Sequence, residues 1–183
     1  ETPTLETTFL KNLWDAREAA ALEAKPLELL RYRSNLLGAD LRITNFGGGN
    51  TSSKFDLPDP LTGEPRRVMA VKGSGGDLRS IGTAGFAVLY MDKLESLKGH
   101  YKDLTQEDAM VHALNHCIFN LNARAPSIDT CLHGYVPWPH VDHVHSDAVI
   151  AIAAAKDQEK LTREVFGDEM GYLPWQRPGI DLG

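Results

Sequence analysis

The stretch Pro139-His-Val-Asp-His-Val-His-Ser-Asp-Ala148 places three of the chain's seven histidines within six residues. Two of them, His143 and His145, alternate with a valine, and side chains two positions apart on an extended strand point to the same face. Imidazole nitrogen is a common ligand of zinc and of neighbouring divalent transition metals. The spacing is therefore compatible with two metal ligands, and equally with two ordinary hydrogen-bonded histidines on a strand.

The residues on either side of this stretch predict where it lies in the fold. After Ser146 the chain becomes continuously apolar, which predicts a buried helix over 148–155. The segment 128–138 before it is partly apolar and predicts an extended chain. The histidines would then lie at the C-terminal end of a strand just before a helix, where α/β proteins often place their binding sites.

Composition limits the classes of function. The chain has 183 residues, 42% of them hydrophobic, and a net charge of −6, so it is long enough for a folded core and lacks the basic character of nucleic-acid-binding proteins. No apolar run is long enough to cross a membrane. Two cysteines give no disulfide framework, so we expect a cytoplasmic protein without membrane or nucleic-acid partners.

Hydrophobic periodicity and turn residues predict the remaining elements. Helices are expected at Thr7–Glu23, with Thr7 or Thr8 as cap, at Pro26–Gly38, at Gln106–Leu121 after Thr105, and at Lys156–Phe166. Strands are expected at Leu41–Asn45, Thr51–Asp56, Arg67–Lys72 and Phe86–Tyr90. This order predicts an α/β fold, an α/β/α sandwich around a largely antiparallel central sheet.

Two glycine-rich turns follow predicted strands, at Gly47–Ser52 and Lys72–Gly76. Glycines allow backbone N–H groups to approach an anion, although the first turn alone is equally typical of a plain connection. Neither turn matches a Walker loop or a dinucleotide fingerprint. Together they favour a site for a small phosphorylated ligand over a nucleotide site.

Glu107 lies in the first turn of the predicted helix over 106–121. There its carboxylate either interacts favourably with the helix dipole or projects over a site at the helix N-terminus. His112 and His116 have the i, i+4 spacing of metal ligands, but no glutamate follows His112 as in a His-Glu-x-x-His motif. We therefore predict surface or core roles for this second pair.

The order of these motifs resembles the class II aldolase/adducin family. Gly-Gly-Gly-Asn-Thr-Ser (47–52) and Lys-Gly-Ser-Gly-Gly (72–76) resemble its phosphate loops, and His-Val-His-Ser-Asp-Ala (143–148) resembles its metal motif. The phrases at 126–130, 132–133, 140–145 and 175–179 are most similar to the aldolase domain of bifunctional rhamnulose-1-phosphate aldolase/alcohol dehydrogenases. The resemblance covers roughly Leu10 to Gly183.

The resemblance implies aldol cleavage of a ketose 1-phosphate, here rhamnulose 1-phosphate, to dihydroxyacetone phosphate and L-lactaldehyde. It implies that His143 and His145 hold Zn²⁺ or a similar divalent metal and that Glu107 is the catalytic acid/base. It assigns phosphate binding to Asn50, Ser74 and Gly75, with Lys72 as a weaker candidate. It also implies a homotetramer in the full-length protein.

The chain departs from the family pattern at its C-terminal end. The family uses a third histidine downstream of the pair, and this chain has none after His145. His133 and His140 would reach the pair only through a bend in the chain. We therefore expect residues 1–183 to be one family domain lacking its C-terminal part, with weak metal binding and no aldolase activity alone. Two alternatives stay open: another enzyme of the family, such as a sugar-phosphate epimerase or dehydratase, and a non-enzymatic scaffold like adducin.

Overall fold

The computed structural model describes residues 9–100, 107–121 and 124–183, together with the backbone but not the side chain of Glu107. The helices are α1 (Ala16–Ala21), α2 (Pro26–Ala39), α3 (Met91–Ser96), α4 (Glu107–Leu114), α5 (Thr130–Tyr135), α6 (Asp147–Ala153) and α7 (Gln158–Phe166). The strands are β1 (Asn50–Pro58), β2 (Pro65–Lys72), β3 (Phe86–Tyr90) and β4 (His140–His143). Within these ranges no helix is both long and apolar enough to cross a bilayer.

The four strands form one sheet in the order β3-β2-β1-β4, and every neighbouring pair is antiparallel. Helices accompany the sheet, so the α/β class with a largely antiparallel sheet is confirmed. The first three strands follow one another along the chain. β4 comes from a distant part of the sequence and pairs with the free edge of β1.

The core lies on both faces of the sheet because successive strand residues point to opposite faces. On one face Met69, Val71, Ala87 and Leu89 pack with Leu94 of α3 and with residues of α4 and α5. On the other face Val68, Ala70, Phe86 and Val88 pack against Leu30 of α2. Leu30 is fully buried and Pro26 occupies the first turn of α2, as the sequence predicted.

Edge strand β4 is tied to the layer beneath it by Arg33 of α2. The Arg33 guanidinium donates to the Ser52 carbonyl oxygen at 2.7 Å through Nη2 and to Asp142 Oδ1 at 3.0 Å through Nε. The first bond reaches β1 and the second reaches β4. Arg33 therefore holds the two strands that carry Asn50 and His143 in register.

Two predicted extended segments have a different structure. The predicted strand at Leu41–Asn45 is a turn, because Asp40 accepts hydrogen bonds from the backbone N–H and guanidinium of Arg42 and the Ile43 N–H donates to the Asp40 carbonyl. The segment predicted as extended over 128–138 contains helix α5. There Gly134 allows close packing on α3, since a Cβ at that position would lie 2.3 Å from Leu94 Cδ2.

Three predicted helices also differ. The first begins at Ala16 with Asp15 as its cap, and Thr7 and Thr8 lie outside the described residues. Helix α4 ends at Leu114, well before Leu121, and the predicted cap Thr105 is also outside the described residues. Helix α6 is exposed rather than buried, with none of its residues in the core. Continuous apolar composition therefore did not determine burial.

Candidate metal and phosphate site

The ends of three strands lie together at one end of the sheet. β1 begins at Asn50, β2 ends at Lys72, and β4 ends at His143. Asn50 is paired with His143 across the β1–β4 ladder. Extending the β1–β2 register, in which Ser52 pairs with Val71, places Asn50 opposite Gly73. Both glycine-rich turns and the histidine pair consequently lie at the same end of the sheet.

The imidazoles of His143 and His145 meet at this end of the sheet. Their Nε2 atoms are 3.0 Å apart and their ring centroids 4.7 Å apart. Two nitrogens at the usual zinc distance in a tetrahedral site lie roughly 3.3 Å apart, so a small movement would allow both to bind one ion. The donor set of two convergent imidazoles fits a divalent transition metal.

Strand alternation is only part of the reason that the rings converge. β4 ends at His143, so His145 lies beyond the strand. Two hydrogen bonds hold it: the Asn45 N–H donates to the His145 carbonyl at 3.2 Å, and the His145 N–H donates to Thr44 Oγ1 at 3.2 Å. The turn that replaces the predicted strand at 41–45 therefore places the second histidine.

Asp129 is a site residue that the sequence analysis missed. Its Oδ2 lies 3.7 Å from His143 Nδ1. With its amide oriented to satisfy its neighbours, Asn50 donates to the same oxygen at 2.8 Å and accepts from Ser127 Oγ at 3.0 Å. Asp129 immediately precedes α5, so the unpredicted helix carries it to this end of the sheet. The only available signal was its place in the phrase at 126–130, which was used for the resemblance alone.

Charge and burial act together on His143. Burial lowers the pKa of the imidazole, the Asp129 carboxylate opposes that shift, and the cationic forms of His145 and Lys72 add to it. A neutral imidazole is the form that binds a metal. The surroundings of His143 therefore favour its ligand form at neutral pH.

The other two nearby histidines have different partners. His133 is fully buried, its Nδ1 lies 2.8 Å from Ser52 Oγ, and burial and His143 lower its pKa to about 4. Its Nε2 and Thr130 Oγ1 are buried without a hydrogen-bond partner in the described residues. His140 lies 2.9 Å from Ser53 Oγ, on the opposite face of β4 from His143. The described residues contain no cluster of three or more His, Cys, Asp or Glu that could hold a metal.

The second glycine-rich turn opens onto solvent. Gly75, Gly76, Asp77 and Arg124 are among the residues that line a cavity of about 340 Å³ there. Ser74 is exposed, and its N–H donates to the Ala125 carbonyl at 2.9 Å. Lys72 is 4% exposed, burial lowers its pKa, and it forms no ion pair with a described residue. This turn thus combines an exposed glycine backbone with two nearby cations, Lys72 and Arg124.

Five of the six predicted site residues lie on neighbouring strand ends and turns, and the side chain of the sixth, Glu107, lies outside the described residues. Asn50, His143 and His145 lie together, with Ser74 and Gly75 on the neighbouring turn. Glu107 begins α4, but its side chain lies outside the described residues, so its catalytic role stays a prediction. His112 and His116 lie on α4 and the turn after it, away from this end of the sheet, and neither is buried.

Comparison with known proteins identifies the family. Residues 30–183 match the family described as "Class II Aldolase and Adducin N-terminal domain". The chain belongs to the class II aldolase/adducin family. It is similar to the "N-terminal Class II Aldolase domain of a conserved protein from Thermoplasma acidophilum", with a TM-score of 0.77 and 28% identity, over 97% of this chain and 77% of that one.

A curated relative of this class II aldolase-family domain is much longer. The chain is 39% identical over 174 residues to "Uncharacterized oxidoreductase YuxG" of Bacillus subtilis (strain 168). The match covers 95% of this chain and 25% of the relative. The chain thus spans about a quarter of that protein.

Proposed function

We propose that this domain is a divalent-metal-dependent aldolase that cleaves a ketose 1-phosphate, rhamnulose 1-phosphate, to dihydroxyacetone phosphate and L-lactaldehyde. The observation that carries the proposal is the approach of His143 Nε2 to His145 Nε2 at 3.0 Å, beside the Asp129 carboxylate. A scaffold has no use for convergent imidazoles with a carboxylate at their side. Membership of the class II aldolase/adducin family supports the same reaction class.

His143 and His145 would hold the metal through their Nε2 atoms. A zinc or similar ion bound there would supply Lewis acidity toward the ketone and hydroxyl oxygens of the substrate. Asp129 would orient His143 through Nδ1, as carboxylates commonly do for metal-binding histidines. Asn50 would in turn hold Asp129 through its amide.

Proton transfer needs a carboxylate within reach of the substrate hydroxyl. In the cleavage direction a base takes the proton of the hydroxyl on the carbon that becomes the aldehyde, and an acid returns a proton to the carbon of the enediolate. The candidates are Glu107, which the family resemblance implies, and Asp129, which the described geometry places beside His143. These assignments make different predictions for single substitutions.

Phosphate would bind along the two glycine-rich turns. Asn50, Ser74 and Gly75 supply amide and hydroxyl donors, and the register of β1 and β2 brings their turns to one end of the sheet. Arg124 adds a guanidinium at the second turn, where its Nη1 lies 3.9 Å from the position a Cβ would take at Gly75. Arginine is well suited to the bidentate recognition of phosphate.

The proposal includes a cytoplasmic homotetramer for the full-length protein. Large apolar side chains are exposed on α6, α7 and the segment that follows them, including Val149, Ile150, Leu173 and Trp175. Contiguous exposed apolar surface is typical of protein interfaces. Light scattering on the purified protein tests the assembly, and a monomer at micromolar concentration would refute the tetramer.

The test of function is release of dihydroxyacetone phosphate, measured by coupled reduction with NADH. Because residues 1–183 are expected to be inactive alone, the full-length protein that carries this domain is supplied with Zn²⁺, Co²⁺ or Mn²⁺ and a panel of ketose 1-phosphates. We expect cleavage of rhamnulose 1-phosphate that is lost in His143→Ala and His145→Ala. Glu107→Gln and Asp129→Asn are then compared on two measurements. Replacing the acid/base should lower kcat about 10²- to 10⁴-fold at saturating metal. Replacing a residue that only orients His143 should weaken metal binding about 10- to 100-fold. Absence of cleavage with every metal and sugar would refute the proposal.

A further inference from the structure

The first glycine-rich turn lies directly against the metal-binding pair. A Cβ built on Gly48 would lie 2.5 Å from His145 Nδ1 and 3.0 Å from His145 Cγ. It would also lie 2.2 Å from Asn45 Oδ1. Contacts under 3.0 Å essentially do not occur for real Cβ atoms, so the space that a side chain would take at position 48 is filled by the His145 ring and the Asn45 side chain.

Glycine is needed at position 48 for space and not for backbone conformation. Its neighbours Gly47 and Gly49 have φ values of +74° and +75°, in the left-handed region that disfavours other residues. Gly48 is not among the described glycines with positive φ. Alanine is therefore allowed by the backbone at 48 and excluded only by the atoms packed there.

In this arrangement the two ring nitrogens of His145 face different neighbours. Nδ1 faces the turn at Gly48, and Nε2 faces His143 Nε2 at 3.0 Å. The turn and the histidine are also joined through the Asn45 and Thr44 hydrogen bonds to the His145 backbone. The ring thus lies against the turn at Nδ1 and against the His143 ring at Nε2.

We propose that Gly48 is a positioning residue that seats the His145 imidazole and directs its Nε2 to the metal position. The glycine turn then serves the metal ligand as well as the phosphate. This inference rests on the proposed function, because it assigns Gly48 a role toward a metal held by His143 and His145. Removal of outer-shell support for a metal ligand commonly weakens metal binding 10- to 100-fold.

The first experiment measures Co²⁺ affinity by visible absorption in the full-length wild-type protein and in its Gly48→Ala variant. We expect Gly48→Ala to bind Co²⁺ about 10- to 100-fold more weakly. Gly171→Ala is the matched control, because a Cβ there meets nothing within 4 Å and its φ is not positive, and it should bind like wild type. Equal affinity of Gly48→Ala and wild type would overturn the inference. If wild type itself binds no Co²⁺, the proposed metal function fails, and the second experiment still decides the contact.

The second experiment is a metal-free double-mutant cycle by urea unfolding. All variants carry Asn45→Ala, which removes the other short contact at position 48. With His145 present, Gly48→Ala should lower the urea midpoint or prevent folding. With His145→Ala, the same substitution should leave the midpoint unchanged, because the atoms that it meets are gone. Equal effects in the two backgrounds would overturn the inference whether or not a metal binds.

Discussion

The two glycine-rich turns have similar composition, but Gly48 and Gly49 of the first and Gly75 and Gly76 of the second pack differently. At the first, Cβ atoms on Gly48 and Gly49 would lie 2.5 Å from His145 Nδ1 and 2.7 Å from the His143 carbonyl oxygen. At the second, the nearest atom to a Cβ on Gly75 is 3.9 Å away, and Gly76 has none within 4 Å. Gly48 and Gly49 are thus closed against the protein's own histidines, whereas Gly75 and Gly76 are open to a cavity. Glycine composition alone does not distinguish a structural seat from a ligand site.

The largest expected effect separates the two turns by stability. Gly49→Ala combines a left-handed φ with contacts to the His143 carbonyl and Thr44 Oγ1, so we expect a loss of about 4 kcal/mol of unfolding free energy. Gly76→Ala has a φ of +82° and no nearby atoms, so it should lose only about 1 to 2 kcal/mol. Urea unfolding measures both. Equal losses would show that the first turn is not closed.

The stability of the fold should also depend on pH through His133, which is buried beside Ser52 of β1. Its pKa in the folded state is about 4, below the ordinary 6.5. Between these values the unfolded chain binds a proton at His133 that the folded chain does not. The free energy of unfolding therefore has its full value above pH 6.5 and decreases as the pH falls toward 4. The expected loss is about 3 kcal/mol.

Urea unfolding of wild type and His133→Asn across pH 4 to 7 measures this contribution. The asparagine amide keeps a partner for Ser52 but cannot titrate, so the variant should lose less stability in this range. Parallel curves for the two proteins would assign the pH dependence to other groups, such as His140 and His143, whose pKa values burial also lowers.

The smallest expected effect concerns the open turn. Arg124→Gln should raise the inhibition constant of inorganic phosphate, as a competitive inhibitor of ketose 1-phosphate cleavage, about tenfold. The reason is that a hydrogen bond to a charged group contributes about 1.5 to 3 kcal/mol. It should leave the urea midpoint near that of wild type, since Arg124 is exposed. Arg17→Gln on α1 is the charge-matched control. Unchanged inhibition would mean that the cavity at the second turn does not bind phosphate.

The sequence predicted the largely antiparallel sheet from local patterns. It also predicted the approach of the two histidines, but strand alternation supplied only part of the reason, because His145 is placed by distant residues of the turn at 44–45. β3 was predicted at its observed bounds, Phe86–Tyr90, because an apolar run between turns is a strong signal. The position of Asp129 was not predictable in this way. It depends on a short helix whose formation relies on packing of Gly134 against Leu94, a contact between distant segments.

The same limit explains the errors in burial and extension. The apolar run at 148–155 predicted a buried helix, yet Val149 and Ile150 are 39% and 44% exposed, because the surface that would cover them is not formed by the described residues. The segment 41–45 has a strand-like composition, but the backbone N–H and the guanidinium of Arg42 both donate hydrogen bonds to the Asp40 carboxylate. Local hydrogen bonding therefore outweighed propensity.

The pairing of β4 with β1 has a consequence for the kinetics of folding. It joins Asn50 to His143, about 90 residues apart in the chain, whereas β1, β2 and β3 pair with their sequence neighbours. Contacts between distant residues carry a larger loop-closure cost and tend to form late. We therefore expect a bound metal to slow unfolding while leaving the refolding rate unchanged, because its two ligands are brought to Asn50 only after the rate-limiting barrier. Stopped-flow refolding with and without metal measures this, and faster refolding with metal would mean that β4 docks early.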